Sequence, residues 1–315
     1  TLNFNTQSND GSYAVTESYL GAFSTRRTLV DVSSAGDFNG DGYDDLLVMA
    51  PGNTTEPTGF AYVVFGNAEG TGQHLNDLAG TLPPERGVKI TGDFANMSGS
   101  VSSLGDINGD GFADVLMGSN SNNGNAYVVY GRANPAALNF SDGNIAASDG
   151  FKITGNSSFR LGGNVSNAGD FNGDGINDFI LGAWTADAAG VTDSGSAYVI
   201  YGKTNGSNLS LAADGSIDAA DGIRLTGAAF NAACRSVSGA GDVNGDGLAD
   251  VIVGANGSST TSGGGGYVIL GGATGGDMTT LTNNGKGFKI NAFSANGHRL
   301  GTVVSSLGDV NGDGL

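Results

Sequence analysis

The stretch Asp37-Phe-Asn-Gly-Asp-Gly-Tyr-Asp-Asp45 decides how this chain is read. Its first, third, fifth and ninth positions carry side-chain oxygens, and its fourth and sixth are glycine. It returns at Asp106–Asp114, Asp170–Asp178 and Asp242–Asp250, and a fifth copy opens at Asp309 and reaches Leu315 before its last Asp. Oxygens at alternate positions of one tight turn suit Ca²⁺, a hard cation that takes six to eight oxygen ligands. The expected ligands in the first loop are the side chains of Asp37, Asn39, Asp41 and Asp45 and the carbonyl of Tyr43, with Asp45 able to use both oxygens. Gly40 and Gly42 permit the positive φ of a tight wrap. The same roles fall to Asp106, Asn108, Asp110, Phe112 and Asp114, then to Asp170, Asn172, Asp174, Ile176 and Asp178, then to Asp242, Asn244, Asp246, Leu248 and Asp250. Asp309, Asn311 and Asp313 remain of the fifth. One ion per complete loop, four in all, is the expectation, with the fifth site incomplete.

Asn-Gly and Asp-Gly also make plain hairpin turns, and a single copy would leave that reading open. Five copies with one ligand spacing argue against it. Three carboxylates inside nine residues also repel one another without a cation. Magnesium prefers a rigid octahedral shell that keeps water. Zinc is disfavoured because the loops hold no His or Cys. An EF-hand would need Glu at position twelve and flanking helices. Here that position is Val48, Met117, Leu181 and Val253, inside apolar runs.

More than the loop repeats. A Val stands five residues before each loop (Val32, Val101, Val165, Val237, Val304), followed by small residues. After each complete loop comes a short apolar run, such as Leu46–Ala50 or Phe179–Ala183. A third block reads Ala61-Tyr-Val-Val-Phe-Gly66, Ala126-Tyr-Val-Val-Tyr-Gly131, Ala197-Tyr-Val-Ile-Tyr-Gly202 and Gly266-Tyr-Val-Ile-Leu-Gly271. A fourth alternates apolar and polar: Val88-Lys-Ile-Thr91, Phe151-Lys-Ile-Thr154, Ile223-Arg-Leu-Thr226, Phe288-Lys-Ile-Asn291. Branched residues in short runs indicate strands, and the alternating block suits a half-exposed outer one. No segment shows a helical period. Each unit therefore reads as four strands with the acidic loop between the first and second. Repeated four-stranded units point to radial blades or to a β-solenoid. Small residues on the first strand favour blades, whose innermost strands crowd an axis, and solenoid repeats are much shorter. The fold class is all-β, a single propeller over residues 1–315. Leu2-Asn-Phe4 resembles Leu138-Asn-Phe140, so the chain is expected to open in the tail of one unit and to stop inside another, as a fragment would.

With 31 acidic against 13 basic residues, the formal net charge is −18. Nucleic acid is excluded as a partner on this ground, since phosphate binding needs clustered Lys and Arg. The 57 glycines belong to turns between strands. No run is long and apolar enough for a membrane-spanning helix, and no signal segment opens the chain. Cys234, the one cysteine, excludes an intrachain disulfide and reads as a small buried hydrophobe.

The acidic loop, the Gly-Ala after the second strand (Gly182-Ala183, Gly254-Ala255; Ala50-Pro51 and Gly118-Ser119 in the other units) and the Ala-Tyr-Val-Val-Tyr-Gly block together resemble the FG-GAP repeat family. That family forms the β-propeller at the head of integrin α subunits and occurs in many bacterial surface proteins. The resemblance covers essentially the whole chain. It implies four-stranded blades, typically seven, calcium loops between the first two strands, and an N-terminal segment that completes the last blade. An intact Gly-Ala-Pro occurs nowhere.

The function expected is an extracellular or cell-surface recognition module for adhesion or assembly, with calcium structural. Five divalent ions would offset ten of the eighteen net negative charges. A protein or glycan ligand would meet the rim loops Ser119–Asn125, Thr185–Ser196 and Gly257–Gly265, and self-assembly is a further partner class. The alternatives are the accessory propeller of a secreted hydrolase and a structural subunit of a surface layer or filament. No enzyme is expected: His74 and His298 lie in polar loops with no nucleophile motif, and the paired acids are taken up by the calcium loops.

Overall fold

The computed structural model describes residues 2–3, 16–17, 31–50, 59–68, 82–92, 99–120, 124–156, 159–188, 191–227, 233–256, 264–292 and 299–308. The fifth loop with Asp309, Asn311 and Asp313, both histidines and most of the Gly257–Gly265 loop lie outside them. Strands β1 (Leu2–Asn3) and β2 (Thr16–Glu17) pair antiparallel. The first large sheet follows as β3 (Asp31–Gly36), β4 (Asp45–Ala50), β5 (Gly59–Val64) and β6 (Gly87–Gly92). The second has β7 (Val101–Gly105), β8 (Asp114–Ser119), β9 (Asn125–Val129) and, past the short β10 (Leu138–Phe140), β11 (Gly150–Thr154). The third has β12 (Asn164–Gly169), β13 (Asp178–Ala183), β14 (Ser196–Ile200) and, past β15 (Leu209–Ser210), β16 (Gly222–Thr226). The fourth has β17 (Ala233–Gly241), β18 (Asp250–Ala255), β19 (Gly265–Ile269) and, past β20 (Gly276–Asp277) and helix α1 (Met278–Asn283), β21 (Gly287–Asn291). Each is an antiparallel meander in chain order. The four blocks of every repeat are therefore its four strands, and the arrangement is consistent with a β-propeller.

The short strands tie the sheets in sequence. β10 pairs parallel to β6, β15 to β11 and β20 to β16, so each of the first three sheets receives a fifth strand from the unit that follows it. The Leu138-Asn-Phe140 motif is thus the outer edge of the preceding sheet. The first strands also join directly. The backbone N–H of Val101 donates to Asp31 Oδ2 at 2.9 Å, that of Val237 to Asn164 Oδ1 at 2.9 Å, and that of Asn167 to Ser102 Oγ at 3.1 Å. Small polar residues crowd these strands because each must bond its neighbour at close range.

The cores lie between sheets, which explains the unbroken apolar runs. Alternate residues of a strand face opposite sides. Val115 and Met117 of β8 join Leu47, Met49 and Val63 of the first sheet, whereas Leu116 joins Phe179 and Leu181 of the third. In turn Ile180 of β13 packs with Val251 and Val253 of the fourth. The repeated Val101, Val165 and Val237 are buried in these three cores, and Val32, with no described sheet beside it, is 62% exposed.

The glycine of the Gly-Ala motif marks the closest approach between sheets. A Cβ on Gly118 would stand 2.0 Å from the carbonyl oxygen of Gly162, one on Gly182 2.5 Å from that of Cys234, and one on Gly254 2.2 Å from that of Gly301. The first sheet has Met49 at this position, and there the partner is glycine: a Cβ on Gly99 would lie 2.6 Å from the Met49 sulfur. Each facing residue of the other three pairs has positive φ, 81° at Gly162, 84° at Gly301 and 68° at Cys234.

The polar residue of each fourth strand covers a tyrosine of the third. Lys89, Lys152, Arg224 and Lys289 are registered opposite Tyr62, Tyr127, Tyr198 and Tyr267. Their cationic groups lie 5.8, 5.5, 5.9 and 4.9 Å from the ring centres. These are within cation–π range. The absence of helix expected from the sequence needs one correction: α1 is a six-residue helix. Asp277 caps it by accepting the Thr280 N–H at 2.9 Å, and so short a segment leaves no periodic pattern to read.

Candidate metal centre

Each acidic loop joins the first and second strands of its sheet, and four copies fold alike. In the first, Asp37 Oδ1 accepts the N–H groups of Gly40 at 2.7 Å and Asp41 at 3.0 Å, and its Oδ2 accepts that of Gly42 at 2.9 Å. Asn39 Oδ1 accepts from Asp41 N–H and its Nδ2 donates to Asp41 Oδ2, both at 2.9 Å. Asp41 Oδ1 accepts the Tyr43 N–H at 3.0 Å. Gly40 and Gly42 have φ of 75° and 90°, the left-handed region in which glycine is free of Cβ strain. Equivalent bonds wind the loops of Asp106, Asp170 and Asp242.

The last acid differs from the others. Asp45, Asp114, Asp178 and Asp250 are buried, whereas Asp41, Asp110, Asp174 and Asp246 are exposed. Asp45 Oδ2 accepts the Phe38 N–H at 3.0 Å, and its Oδ1 accepts the Gly66 N–H at 2.9 Å. Gly131, Gly202 and Gly271 donate likewise to Asp114, Asp178 and Asp250. Burial pushes Asp114 and Asp178 up to about 7 and Asp45 to about 6, against the lowering effect of these N–H donors, and the loop's other aspartates push the same way. Asp250 is raised for the same reason. Each loop therefore ends in a carboxyl group held inside the fold at an energetic disadvantage when charged.

These glycines were not among the residues singled out from the sequence, although each closes its Ala-Tyr-Val-Val-Tyr-Gly block. Two demands meet there: an N–H for the buried acid, and no side chain. A Cβ on Gly131 would come within 2.3 Å of the Ala113 carbonyl. Phe38, Ile107 and Phe171, second in their loops, were missed too. Their N–H groups bond the buried Asp while their side chains enter the inter-sheet cores.

Whether the donors are compatible with a cation can be tested by lone-pair accounting. An ionised carboxylate has about four acceptor positions and an amide oxygen two. Three are used on Asp37, one on Asn39, two on Asp41 and two on Asp45. Every predicted side chain keeps acceptor capacity, and all the donors are oxygen, so the set fits calcium chemistry. Among the described residues, no three His, Cys, Asp or Glu side chains converge as a ready-made cage. Within each loop the acids are held by backbone amides, with the buried ninth residue set apart from the exposed fifth.

The loops also bind their neighbours. The Asp37 carbonyl accepts the Ala113 N–H at 3.0 Å and the Phe38 carbonyl that of Arg132 at 2.9 Å. Asp170 and Phe171 do the same with Ala249 and Gly272. A Cβ on Gly40 would sit 2.4 Å from the Phe112 ring, the seventh residue of the next loop.

Comparison with known proteins agrees with this repeat. The FG-GAP repeat family matches residues 31–64, 98–130 and 235–270. Integrin alpha-4 of Xenopus laevis is 30% identical over 162 residues, 49% of this chain and 14% of that protein. Integrin alpha pat-2 of Caenorhabditis briggsae is 26% identical over 242 residues, 71% of this chain and 17% of that protein. Integrin alpha-3 of Cricetulus griseus is 38% identical over 85 residues. The chain thus spans less than a fifth of the length of the first of these relatives. The matched segments run through the first, second and third strands of three of the four sheets with their acidic loops, so the chain carries FG-GAP repeats in these three places.

Proposed function

We propose that this chain is an extracellular or cell-surface recognition module for adhesion or assembly, braced by one Ca²⁺ in each complete acidic loop. The observation that carries the calcium reading is the pairing, four times over, of a buried carboxyl group with exposed acids on one short turn. A bound cation would offset the repulsion and stabilise the ionised form of the buried Asp. Asp37, Asn39, Asp41, the Tyr43 carbonyl and Asp45, with their counterparts in the other loops, would hold it. Its contribution would be cross-linking, because the same loops bond the next sheet. The binding role, with a protein or glycan as ligand, is supported by similarity to integrin α chains.

Two measurements test this. Calorimetric titration of the chelator-stripped chain with CaCl₂ should give one ion per complete loop, and a heat no larger than dilution would reject calcium. Binding of the labelled chain to intact cells should require calcium, and the absence of saturable binding would reject recognition.

A further inference from the structure

Trp184 is the only tryptophan of the chain, and two arginines lie over it. The Arg160 guanidinium carbon is 4.9 Å from the ring centre and that of Arg235 is 4.3 Å. They come from three different parts of the fold. Trp184 follows β13, Arg160 precedes β12, and Arg235 belongs to β17 of the next sheet. Both arginines are exposed and Trp184 is half-buried. Neither arginine has a carboxylate partner among the described residues, where the ion pairs are Arg132–Asp149 and Lys203–Asp221. In a chain with 31 acidic residues and 13 basic ones, two guanidiniums thus share one indole with no ion-paired acid among the described residues.

The site is built, not incidental. Arg160 holds a φ of 50°, a left-handed conformation uncommon for a residue with a side chain. The loop after Trp184 is pinned: Ala186 N–H donates to the Ala183 carbonyl at 3.1 Å, Gly195 N–H to that of Ala186 at 3.0 Å, and Ala188 bridges Val191. A Cβ on Gly195 would meet the Ala233 carbonyl at 2.3 Å, so the loop is seated on the strand that carries Arg235. Of the loop's own acids, Asp187 uses Oδ1 to accept the Asp193 N–H.

We propose that Arg160, Trp184 and Arg235 form a binding site for a carboxylate of an acidic peptide segment on a partner protein. The ring orients two planar guanidiniums by cation–π contact, and their free N–H edges match a carboxylate in bidentate fashion. A sugar would need the open face of the indole, and the guanidiniums overlie it, which favours the peptide. The net charge of −18 does not oppose this. The loop after Trp184 itself carries the acids Asp187 and Asp193, and the acidic loop of this sheet lies at the other end of β13, a six-residue strand and so about 20 Å away. That distance exceeds the ~8 Å over which charges act at physiological ionic strength. This proposal deepens the recognition-module reading by assigning it a site.

Trp184 emission reports on the site alone, because no other tryptophan contributes. The full chain in fixed calcium would be titrated with a ten-residue peptide of alternating Glu and Gly, with the same peptide carrying Gln, and with oligogalacturonate. The expected result is a saturable change with the Glu peptide only, and a dissociation constant raised about tenfold or more in R235Q and in R160Q/R235Q. Melting temperatures of both variants, each expected near wild type, would show that they fold, and R235Q alone suffices if the double variant does not. No emission change, an equal change in the variants, or a response to oligogalacturonate without the peptide would each overturn the proposal. Those failures leave cell binding by the chain standing or falling on its own measurement.

Discussion

Stripping calcium from this chain should reverse the usual pH dependence of a protein's stability. A carboxylate paired in the fold ordinarily makes acid destabilising. Here the buried acids of the loops are displaced upward, Asp114 and Asp178 to about 7 and Asp45 to about 6, because burial disfavours their charged form. Unfolded, each titrates near 3.8. Between those limits the folded chain binds more protons than the unfolded one, so stability falls as pH rises. The contribution is fully present below about pH 4 and gone above pH 7. Each tenfold difference in proton affinity is worth ~1.4 kcal/mol. Ionising Asp114 and Asp178 then costs on the order of 4 kcal/mol apiece, a large share of the ~5–15 kcal/mol that holds a typical domain together. The assay is thermal melting in chelator at stepped pH, repeated in millimolar calcium. The chelated chain should lose more than about 10 °C between pH 4.5 and 7.5. If calcium binds as proposed, the ion would stand in for the proton, and the slope in calcium should flatten or turn upward. A chelated melting temperature that stays level or rises over this range would refute the cost assigned to burial. An identical downward slope in both buffers would refute calcium at the buried Asp.

Three substitutions probe the contacts between units. Gly118→Ala places a methyl 2.0 Å from the Gly162 carbonyl, and urea denaturation should show a loss of roughly 2–4 kcal/mol; a midpoint unchanged from wild type would count against the packing described. At Cys234, where φ is 68°, glycine should be near neutral, since relief of ~1 kcal/mol of left-handed strain offsets the lost side chain. Valine there should cost more than about 2 kcal/mol, and equal stability of the two variants would be contrary to expectation. Phe112→Ala removes the ring against Gly40, so amide exchange should quicken at Gly40–Gly42 of the preceding loop as well as around residue 112, and protection lost in its own loop alone would deny the coupling between loops.

How much of this was legible in the sequence follows the distance over which each feature acts. The four strands of each unit and the loop between the first two were readable because they are local: alternation, branched residues and Asp-Gly turns sit within a few positions of one another. The helix and the borrowed strands were not. Two or three residues such as Leu209–Ser210 carry no period, and their partner strand belongs to another unit. The inter-sheet contacts are hidden for a stronger reason. Val101 donates to Asp31 across 70 residues and Val237 to Asn164 across 73, and nothing in either local sequence announces its partner. What the repeat does offer is a comparison of one unit with the next, and its exceptions are the informative positions. Met49 breaks the glycine of the Gly-Ala motif, and the structure meets it with Gly99 on the facing chain. Cys234 breaks the glycine on that facing side, and it keeps the left-handed backbone of Gly162 and Gly301 while Gly182 opposite stays without a side chain. Close approach needs a residue without Cβ on one side only. The departures from the motif are therefore paired across the interface, and the requirement for a glycine belongs to the contact between two units and not to either unit alone.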